Sequence, residues 1–354
     1  MSGPLPSAGP PRSVAGIILG GAHVWQEDAA RLLEPRLLLP VANVPLVRYT
    51  LGWLKRGGIR DVVICVNEAA RVLRQQLGDG DEGGLRLHYY VDRMPRGPGG
   101  CLRDAGELVD AEDYVVVEGS ILPTVDLAAL LTAHREAGVL ATLAVQDGDH
   151  GAGPAPLGHV GSPMGVHVFA QAALEHVSPG SYQDIKETLL QRLLRGSRAV
   201  AVFPTSEPSP RISDLATYLA VQAWALERAR HAGERHAEYT WNGDTALHPT
   251  ARLSASARVV GPAMVGAGTR IADRTLLVGP VVVGRECLLA DGVLVTNSVI
   301  WDRAELESGS RVDGCLVAAG ATVPRKSSLC GIAWSGPPQR GNPRRTGERV
   351  GWHG

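Results

Sequence analysis

Residues 247–295 read LHPTARLSASARVVGPAMVGAGTRIADRTLLVGPVVVGRECLLADGVLV, with an aliphatic residue at every sixth position. The series is Leu247, Leu253, Val259, Val265, Ile271, Leu277, Val283, Leu289 and Val295. The residue two positions before each, from Leu253 on, is small or β-branched: Ala251, Ala257, Ala263, Thr269, Thr275, Val281, Cys287 and Val293. A hexapeptide period is typical of a parallel β-helix, whose triangular coils point one aliphatic residue inward on each side. We therefore predict a left-handed β-helix over residues 247–330, with a one-residue slip after Trp301 and a resumed register at Leu306, Val312 and Val323.

The composition bounds the class of protein. The chain has 354 residues, 44% hydrophobic and 5% aromatic, with 35 basic and 36 acidic side chains. This length suits two domains, and the near-zero net charge leaves no field that would attract nucleic acid. The five cysteines contain no C-x-x-C pair and indicate reduced thiols of a cytoplasmic protein. No signal-peptide pattern and no apolar run long enough to span a membrane is present, so we expect a cytoplasmic protein without a membrane span.

Before residue 236 the pattern alternates between short apolar runs and amphipathic segments. Strands are predicted over residues 14–19, 61–66, 85–91, 114–117 and 141–145, and helices over 44–56, 100–109, 128–137 and 214–238. This alternation indicates an α/β fold with a doubly wound, mainly parallel, Rossmann-like sheet. The predicted organisation is a disordered leader (1–13), an α/β domain (14–236), a linker (237–246), the β-helix (247–330) and a flexible basic tail (331–354).

Six short motifs lie in the α/β region in a fixed order. They are LGGA from Leu19 to Ala22, PRLLLPVANVPL from Pro35 to Leu46, RGPGG from Arg96 to Gly100, VEGSILPTVDL from Val117 to Leu127, MGVHVF from Met164 to Phe169, and ISDLATY from Ile212 to Tyr218. Together with the β-helix, they resemble the nucleotide-sugar pyrophosphorylases, which are sugar-1-phosphate nucleotidyltransferases, and mannose-1-phosphate guanylyltransferases in particular. The resemblance covers residues 14–330.

The resemblance implies an activity and a set of binding residues. Members of that family join a sugar 1-phosphate to a nucleoside triphosphate and release pyrophosphate, using a Gly-x-Gly-Thr-Arg loop, a lysine and two magnesium-binding aspartates. The residues that this implies for nucleotide binding are Leu19, Gly20, Gly21, Ala22, Gly97, Pro98, Gly99, Gly100, Gly119 and Ser120. Gly20 and Gly21 taken alone are more typical of a tight strand-to-helix turn than of a phosphate loop, and only the context of the six motifs reverses that preference. Arg36 stands at the lysine position and is the candidate for a catalytic role.

The sequence departs from the family where its chemistry is most demanding. Val24 and Gln26 replace the second glycine and the arginine of the loop, while Ser120 and Arg211 stand at the two aspartate positions. A guanidinium opposes a cation and a hydroxyl is a poor substitute for a carboxylate, so no metal site is predicted and Mg²⁺ is expected only in an active enzyme.

Two functions follow from these departures. The first is a homologue with impaired catalysis that binds a nucleotide sugar or nucleotide as a regulatory or scaffold subunit. We expect it as a homo-oligomer or in a hetero-complex, in the second case with an active paralogue. The alternative is an active nucleotidyltransferase in which Arg31, Arg36 and Arg211 replace the charge of the metal.

Other polar residues receive structural interpretations. Asp126 is predicted to cap the helix that follows it. The histidines His23, His150, His159 and His167 match no metal-ligand spacing and are assigned to packing or to the surface. Hexapeptide acyltransferases use a histidine between coils, and His248 is the single histidine of residues 247–330, at the edge of the first coil, which disfavours that activity.

Overall fold

The computed structural model describes residues 13–21, 35–66, 70–80, 84–92, 96–147, 163–195, 200–229 and 237–336. These residues form two compact units. One holds the described residues between 13 and 21 and between 47 and 210, and the other holds residues 35–46 and those from 211 onward. The predicted domain boundary at residue 236 is based on the change in hydrophobic period between the α/β region and the hexads, and it stays a prediction. The expected leader and most of the expected tail lie outside the described residues.

Helices and strands alternate through residues 14–229. In chain order they are β1 (Val14–Leu19), β2 (Pro40–Val41), β3 (Val44–Pro45), α1 (Leu46–Arg56), β4 (Asp61–Val66), α2 (Ala70–Leu77), β5 (Arg86–Val91), α3 (Gly97–Gly106), β6 (Asp113–Glu118), α4 (Leu127–Ala137), β7 (Ala141–Gln146), β8 (Pro163–Ala170), α5 (Gln171–Leu174), α6 (Leu190–Leu194), β9 (Val200–Thr205) and α7 (Leu215–Ala229). A 3₁₀ turn covers Arg36–Leu38 and a π-helical turn covers Ile185–Leu189.

The first unit is built on one seven-stranded sheet, in the order β5-β4-β1-β6-β8-β7-β9. Neighbouring strands are parallel except at β8, which runs antiparallel to β6 and to β7. β6 is buried along its whole length because helices cover both faces of such a sheet. The predicted doubly wound, mainly parallel α/β fold is therefore confirmed.

Three predicted helix bounds differ from the structure. Residues 44 and 45 belong to a hairpin with residues 40 and 41, since Ala42 and Asn43 take left-handed φ angles of 45° and 60°. Helix α3 covers Gly97–Gly106 where 100–109 was predicted; it ends at a glycine whose added Cβ would lie 2.4 Å from Leu174. Of the long helix predicted over 214–238, the described part is Leu215–Ala229, and residues 237–238 form a turn instead of a helix.

Short strands follow one another from residue 240 to residue 334. They are β10 (Thr240–Asn242), β11 (Thr245–Leu247), β12 (Arg252–Leu253), β13 (Arg258–Val260), β14 (Ala263–Val265), β15 (Arg270–Ile271), β16 (Leu276–Val278), β17 (Val281–Val283), β18 (Leu288–Leu289), β19 (Leu294–Thr296), β20 (Val299–Ile300), β21 (Glu305–Leu306), β22 (Arg311–Asp313), β23 (Leu316–Val317), β24 (Thr322–Val323), β25 (Ser328–Cys330) and β26 (Ala333–Trp334). Every third strand pairs in parallel, which produces the three sheets of the predicted left-handed β-helix.

The predicted inward series is found in a single core, but the slip lies earlier than expected. The coil spacing falls from 18 residues at Val278↔Thr296 to 17 at Val283↔Ile300, so Ile300 is the inward residue of its strand and Trp301 is not. Asn297 alone connects Thr296 to Ser298, whereas two residues make the same turn one coil earlier. Its left-handed φ of 41° is what allows the tighter turn.

Polar corner residues tie successive coils together. The buried Thr269 hydroxyl donates to the carbonyl of Gly284 (2.7 Å) and accepts from the amide of Cys287 (3.0 Å). Gly266 has no room for a side chain, because an added Cβ would lie 2.5 Å from the carbonyl oxygen of Gly284. The small residues of the hexads are therefore needed for the close approach of one coil to the next.

Candidate functional site

Strands β1 and β6 lie side by side and end at the same edge of the sheet. Leu19 pairs with Glu118, and the amide of Gly119 donates to the carbonyl of Leu19 (2.9 Å). From β1 the chain continues to β4 on one side, whereas β6 joins on the other, so the strand order reverses here. Ligands of open α/β sheets bind outside the carboxyl ends of strands at such a switch point. The structure thus brings Leu19, Gly20 and Gly21 together with Gly119 and Ser120.

The two sides of this edge differ in accessibility. Gly21 is exposed, and a Cβ added there meets nothing within 4 Å, so open space lies beside it. Ser120 is only 3% exposed. A small hydroxyl thus lies buried at the end of β6, in the position that the resemblance gives to the first aspartate. Ala22, the remaining predicted residue of the loop, lies outside the described residues.

An ion pair that the sequence analysis missed lies at the same edge. The Lys186 ammonium is 3.5 Å from the Glu118 carboxylate, and the two side chains are 48% and 8% exposed. Lys186 belongs to the π-helical turn, whose first amides are held by the Asp184 carboxylate: it accepts from the amides of Lys186 (2.6 Å) and Glu187 (2.9 Å). Glu118 could have been found from the sequence, because it is an acidic residue at the end of the apolar run of β6. Lys186 could not, because its contact with Glu118 is long-range and has no local sequence pattern.

The nucleotide-binding candidates Gly97–Gly100 form the start of α3 and pack against the chain just before Lys186. Gly99 donates to the carbonyl of Gln183 (2.8 Å), and the amide of Gln183 donates to that of Arg96 (2.7 Å). A Cβ added at Gly97 would lie 2.6 Å from the Gln183 oxygen. These glycines are therefore required for internal packing that fixes the turn carrying Lys186, and their contact with a nucleotide, like that of Pro98 and Gly100, stays a prediction.

Arg36 lies in the second unit, at the start of the 3₁₀ turn. Burial, and to a smaller extent the neighbouring positive charge of Arg211, lower the pKa of its guanidinium to about 10. Arg36 remains protonated at neutral pH and makes no ion pair with any residue in the described part of the chain. Two nearby guanidiniums of this kind favour an anion.

The residues do not fit a Mg²⁺ site of the kind found in the family. Mg²⁺ needs several oxygen ligands, with carboxylates first among them. The resemblance puts Ser120 and Arg211, neither of them a carboxylate, at the two aspartate positions, and the carboxylate of Glu118 already faces an ammonium. Within the described ranges no three His, Cys, Asp or Glu side chains converge on one point.

Other predicted roles are found in the structure. Asp126 caps α4 by accepting from the amide of Ala129 (3.1 Å), as expected. His167 is 1% exposed on β8 with its ring beside Phe169, so its predicted packing role is confirmed. His23, His150 and His159 lie outside the described residues. No helix in the described ranges is long and apolar enough to cross a bilayer.

A family model matches the central part of the α/β region. Residues 30–151, which contain β6 and the Gly97–Gly100 loop, match the family model for nucleotidyl transferases. This segment is therefore similar to nucleotidyl transferases. The sequence resemblance to the nucleotide-sugar pyrophosphorylases is thereby confirmed.

Relatives of the nucleotidyl transferase segment are similar over short spans. The chain is 28% identical to mannose-1-phosphate guanylyltransferase of Mycobacterium tuberculosis over 122 residues, which are 34% of this chain and 34% of that protein. It is 27% identical to translation initiation factor eIF2B subunit epsilon of Schizosaccharomyces pombe over 133 residues, 36% of this chain and 20% of that one. It is 37% identical to glucose-1-phosphate thymidylyltransferase of Mycolicibacterium smegmatis over 83 residues, 23% and 29% of the two chains. The similarity thus spans about a third or less of the length of each of these relatives.

A solved structure supports the nucleotidyl transferase fold. A Bacillus anthracis protein provisionally assigned as a glucose-1-phosphate thymidylyltransferase aligns with a TM-score of 0.53 and 17% identity. The alignment covers 60% of this chain and 95% of that one. At this identity the likeness concerns the fold alone.

Proposed function

We propose that this nucleotidyl transferase homologue binds a nucleotide sugar or nucleotide at the carboxyl edge of β1 and β6, with impaired catalysis, as a regulatory or scaffold subunit. An active paralogue is the partner that this role calls for. The observation that carries the proposal is the buried Ser120 at the end of β6, beside a Glu118 carboxylate that Lys186 already neutralises. Among its described residues, this edge offers donors for an anion but no free carboxylate pair for a cation.

The reaction of the family explains why this matters. Attack of a sugar phosphate on the α-phosphorus of a triphosphate builds negative charge on the transferred group and on the departing pyrophosphate. Stabilisation of that charge is the main contribution of such sites. With Ser120 and Arg211 at the aspartate positions, the charge that a bound metal would supply is missing, whereas binding of a ground-state diphosphate needs only amides and a cation.

The alternative is an active nucleotidyl transferase in which arginines replace the metal. One observation favours it: Arg36 is partly buried with Arg211 close by, and both carry positive charge at neutral pH. If this is the function, purified protein releases pyrophosphate from a nucleoside triphosphate and a sugar 1-phosphate, and Arg36→Ala abolishes the release.

Binding is tested by thermal unfolding with a panel of nucleotide sugars, GDP-mannose first. A ligand at 100 times its Kd stabilises the folded state by about 2.7 kcal/mol. Gly21→Phe is expected to remove the stabilisation without changing the melting temperature of the free protein, because open space surrounds this glycine. The matched control is Ala137→Phe, which adds the same ring to an exposed residue at the far end of α4.

Activity is measured in parallel by pyrophosphate release with Mg²⁺, the common triphosphates and sugar 1-phosphates. The proposal expects binding without turnover. Turnover lost in Arg36→Ala would establish the alternative, and stabilisation that persists in Gly21→Phe would rule out this edge as the binding site. No stabilisation by any member of the panel would contradict both functions.

A further inference from the structure

One side of the β-helix carries an ordered row of outward side chains. Strands β12, β15, β18, β21 and β24 form this sheet, and their second residues point into the core. Their first residues are in register on the outside: Arg252, Arg270, Leu288, Glu305 and Thr322. We call this row the Arg–Leu–Glu face. It borders a shallow groove of about 600 Å³.

The face is uncovered in the described part of the second unit. The sheet of β14 and β17 has its outward residues Met264 and Val282 buried, and α7 packs on it, with Tyr218 accepting a hydrogen bond from the indole of Trp301 (3.0 Å). By contrast, Arg270 is exposed, and Leu288 is 42% exposed at the centre of the Arg–Leu–Glu face. A large apolar side chain between charged rungs is what an interface centre presents.

The charges of the face are segregated. Two arginines occupy the first two rungs, and Glu305 occupies the fourth. Rungs of a sheet are about 4.8 Å apart, so Arg270 and Glu305 are separated by about 10 Å and do not pair within one chain. None of the three forms an ion pair with another described residue. One half of the face is therefore positive and the other half is negative.

Such a face is complementary to a second copy of itself in one orientation. With the two β-helix axes parallel, Arg270 meets the partner's Arg270, and like charges repel. With the axes antiparallel about a two-fold axis at Leu288, Arg270 meets the partner's Glu305, Glu305 meets the partner's Arg270, and the two leucines meet at the centre. A two-fold axis produces both ion pairs at once, because the same patch is used twice.

The other open sheet lacks this property. Its strands have two outward rows: Arg258, Leu276, Leu294, Arg311 and Ser328, and Val260, Val278, Thr296, Asp313 and Cys330. About a two-fold axis at the central rung, Arg311 and Asp313 both face the partner's apolar second rung, so no opposite charges come together. We propose that the Arg–Leu–Glu face forms a two-fold, antiparallel homodimer of this chain.

The size of the face sets the expected affinity. Five rungs span about 19 Å, so the contact is smaller than the roughly 800 Å² per partner of standard interfaces. We expect a weak dimer in the micromolar range whose Kd rises with salt, because its ion pairs are exposed to solvent. Analytical ultracentrifugation of the full chain from 1 to 200 μM, at low and high salt, measures both properties.

Charge reversal tests the predicted pairs. Arg270→Glu and Glu305→Arg each place like charges opposite one another at both pairs, and each is expected to raise the Kd at least about tenfold. An equimolar mixture of the two variants restores association as a heterodimer, in which both pairs are again opposite in charge. The matched control is Arg311→Glu on the other open sheet, which leaves the Kd unchanged.

The outcomes are decisive because misfolding cannot mimic them. Two misfolded variants would not regain association on mixing, and circular dichroism checks each fold independently. A wild-type chain that remains monomeric at 200 μM overturns the proposal. A dimer that resists both reversals, or two weakened variants that fail to associate when mixed, places the contact on another surface or with another protein and also overturns it.

Discussion

Lys186 holds its ammonium 3.5 Å from the carboxylate of Glu118, although the two residues are 68 positions apart in the sequence. The contact joins the end of β6 to the π-helical turn, and residues 97–100 at the start of α3 pack against the chain just before that turn. It leaves Lys186 about half exposed, with donors that face solvent as well as Glu118. The pair thus combines a buried carboxylate with a half-exposed ammonium.

Lys186→Gln is predicted to weaken nucleotide-sugar binding about tenfold, because a charged hydrogen bond to phosphate is lost. Isothermal titration measures the change in Kd. Lys326→Gln, the same substitution at an exposed turn of the β-helix, serves as the control and is expected to bind with the wild-type Kd. Equal affinity of all three proteins would remove Lys186 from the binding site.

We predict that Asp113 makes the free energy of unfolding depend on pH in the acid range. Burial raises the pKa of this carboxyl, but His134 and Arg135 (3.2 Å) outweigh it and hold the pKa below its usual value. A lowered folded-state pKa contributes stability above the unfolded value, near pH 4, and that stability is lost as the pH falls through the folded value. Urea unfolding of the wild type should therefore show a free energy that falls below about pH 4.

Asp113→Asn should flatten that acid limb. At pH 7 the variant is expected to be about 3 kcal/mol less stable, since the substitution breaks a buried ionic cluster. A variant whose free energy of unfolding follows the wild-type pH profile would show that other carboxyls cause the acid dependence.

Tyr218→Phe is predicted to destabilise the protein by about 1–3 kcal/mol. The Tyr218 hydroxyl accepts from the Trp301 indole (3.0 Å) and donates to the carbonyl of Pro40 (2.6 Å), so its removal leaves the buried indole N–H unpaired. Denaturant unfolding measures the loss. Tyr182→Phe is the matched control, because Tyr182 is 63% exposed, and it should change the free energy by less than about 0.5 kcal/mol.

Asp126→Ala is predicted to cost about 1 kcal/mol of stability, because the amide of Ala129 loses its cap. Asp126→Asn retains an acceptor oxygen and is expected to recover most of that loss. Chemical unfolding of the three proteins in one buffer checks the order. If Ala and Asn are equally destabilising, the carboxylate acts through charge and not as a cap.

The sequence predicted most of the fold because its signals are local and periodic. The hexads fix which residues enter the β-helix core, and the apolar runs fix the strands of the sheet. No bounds were predicted for strands β8 and β9 or for helices α2, α5 and α6. The other errors fall at the ends of elements and at turns. The turn at Asn297 shifts the hexad register by one residue, but the hydrophobic pattern does not show which residue is lost. That turn and the hairpin at Ala42 and Asn43 depend on left-handed backbone conformations, which the type of a non-glycine residue does not predict.

The candidate site was less predictable. Gly20, Gly21, Gly119 and Ser120 were found because motifs place them at strand ends, where parallel strands share an edge. Lys186 was missed because its partner is distant in sequence. The glycines between Gly97 and Gly100 were predicted to contact a nucleotide. The structure shows a second reason for glycine there, which is their close packing against Gln183.

The sequence by itself predicted the two architectures and the resemblance of the α/β region to nucleotidyltransferases, because both depend on residue type and spacing along the chain. Only the tertiary structure decided which charges meet and which stay apart. It pairs Lys186 with Glu118 across 68 residues, and it leaves Arg270 and Glu305 two rungs apart and unpaired. The physical reason is that electrostatic energy depends on distance in space, which coiling and strand order set independently of distance in sequence.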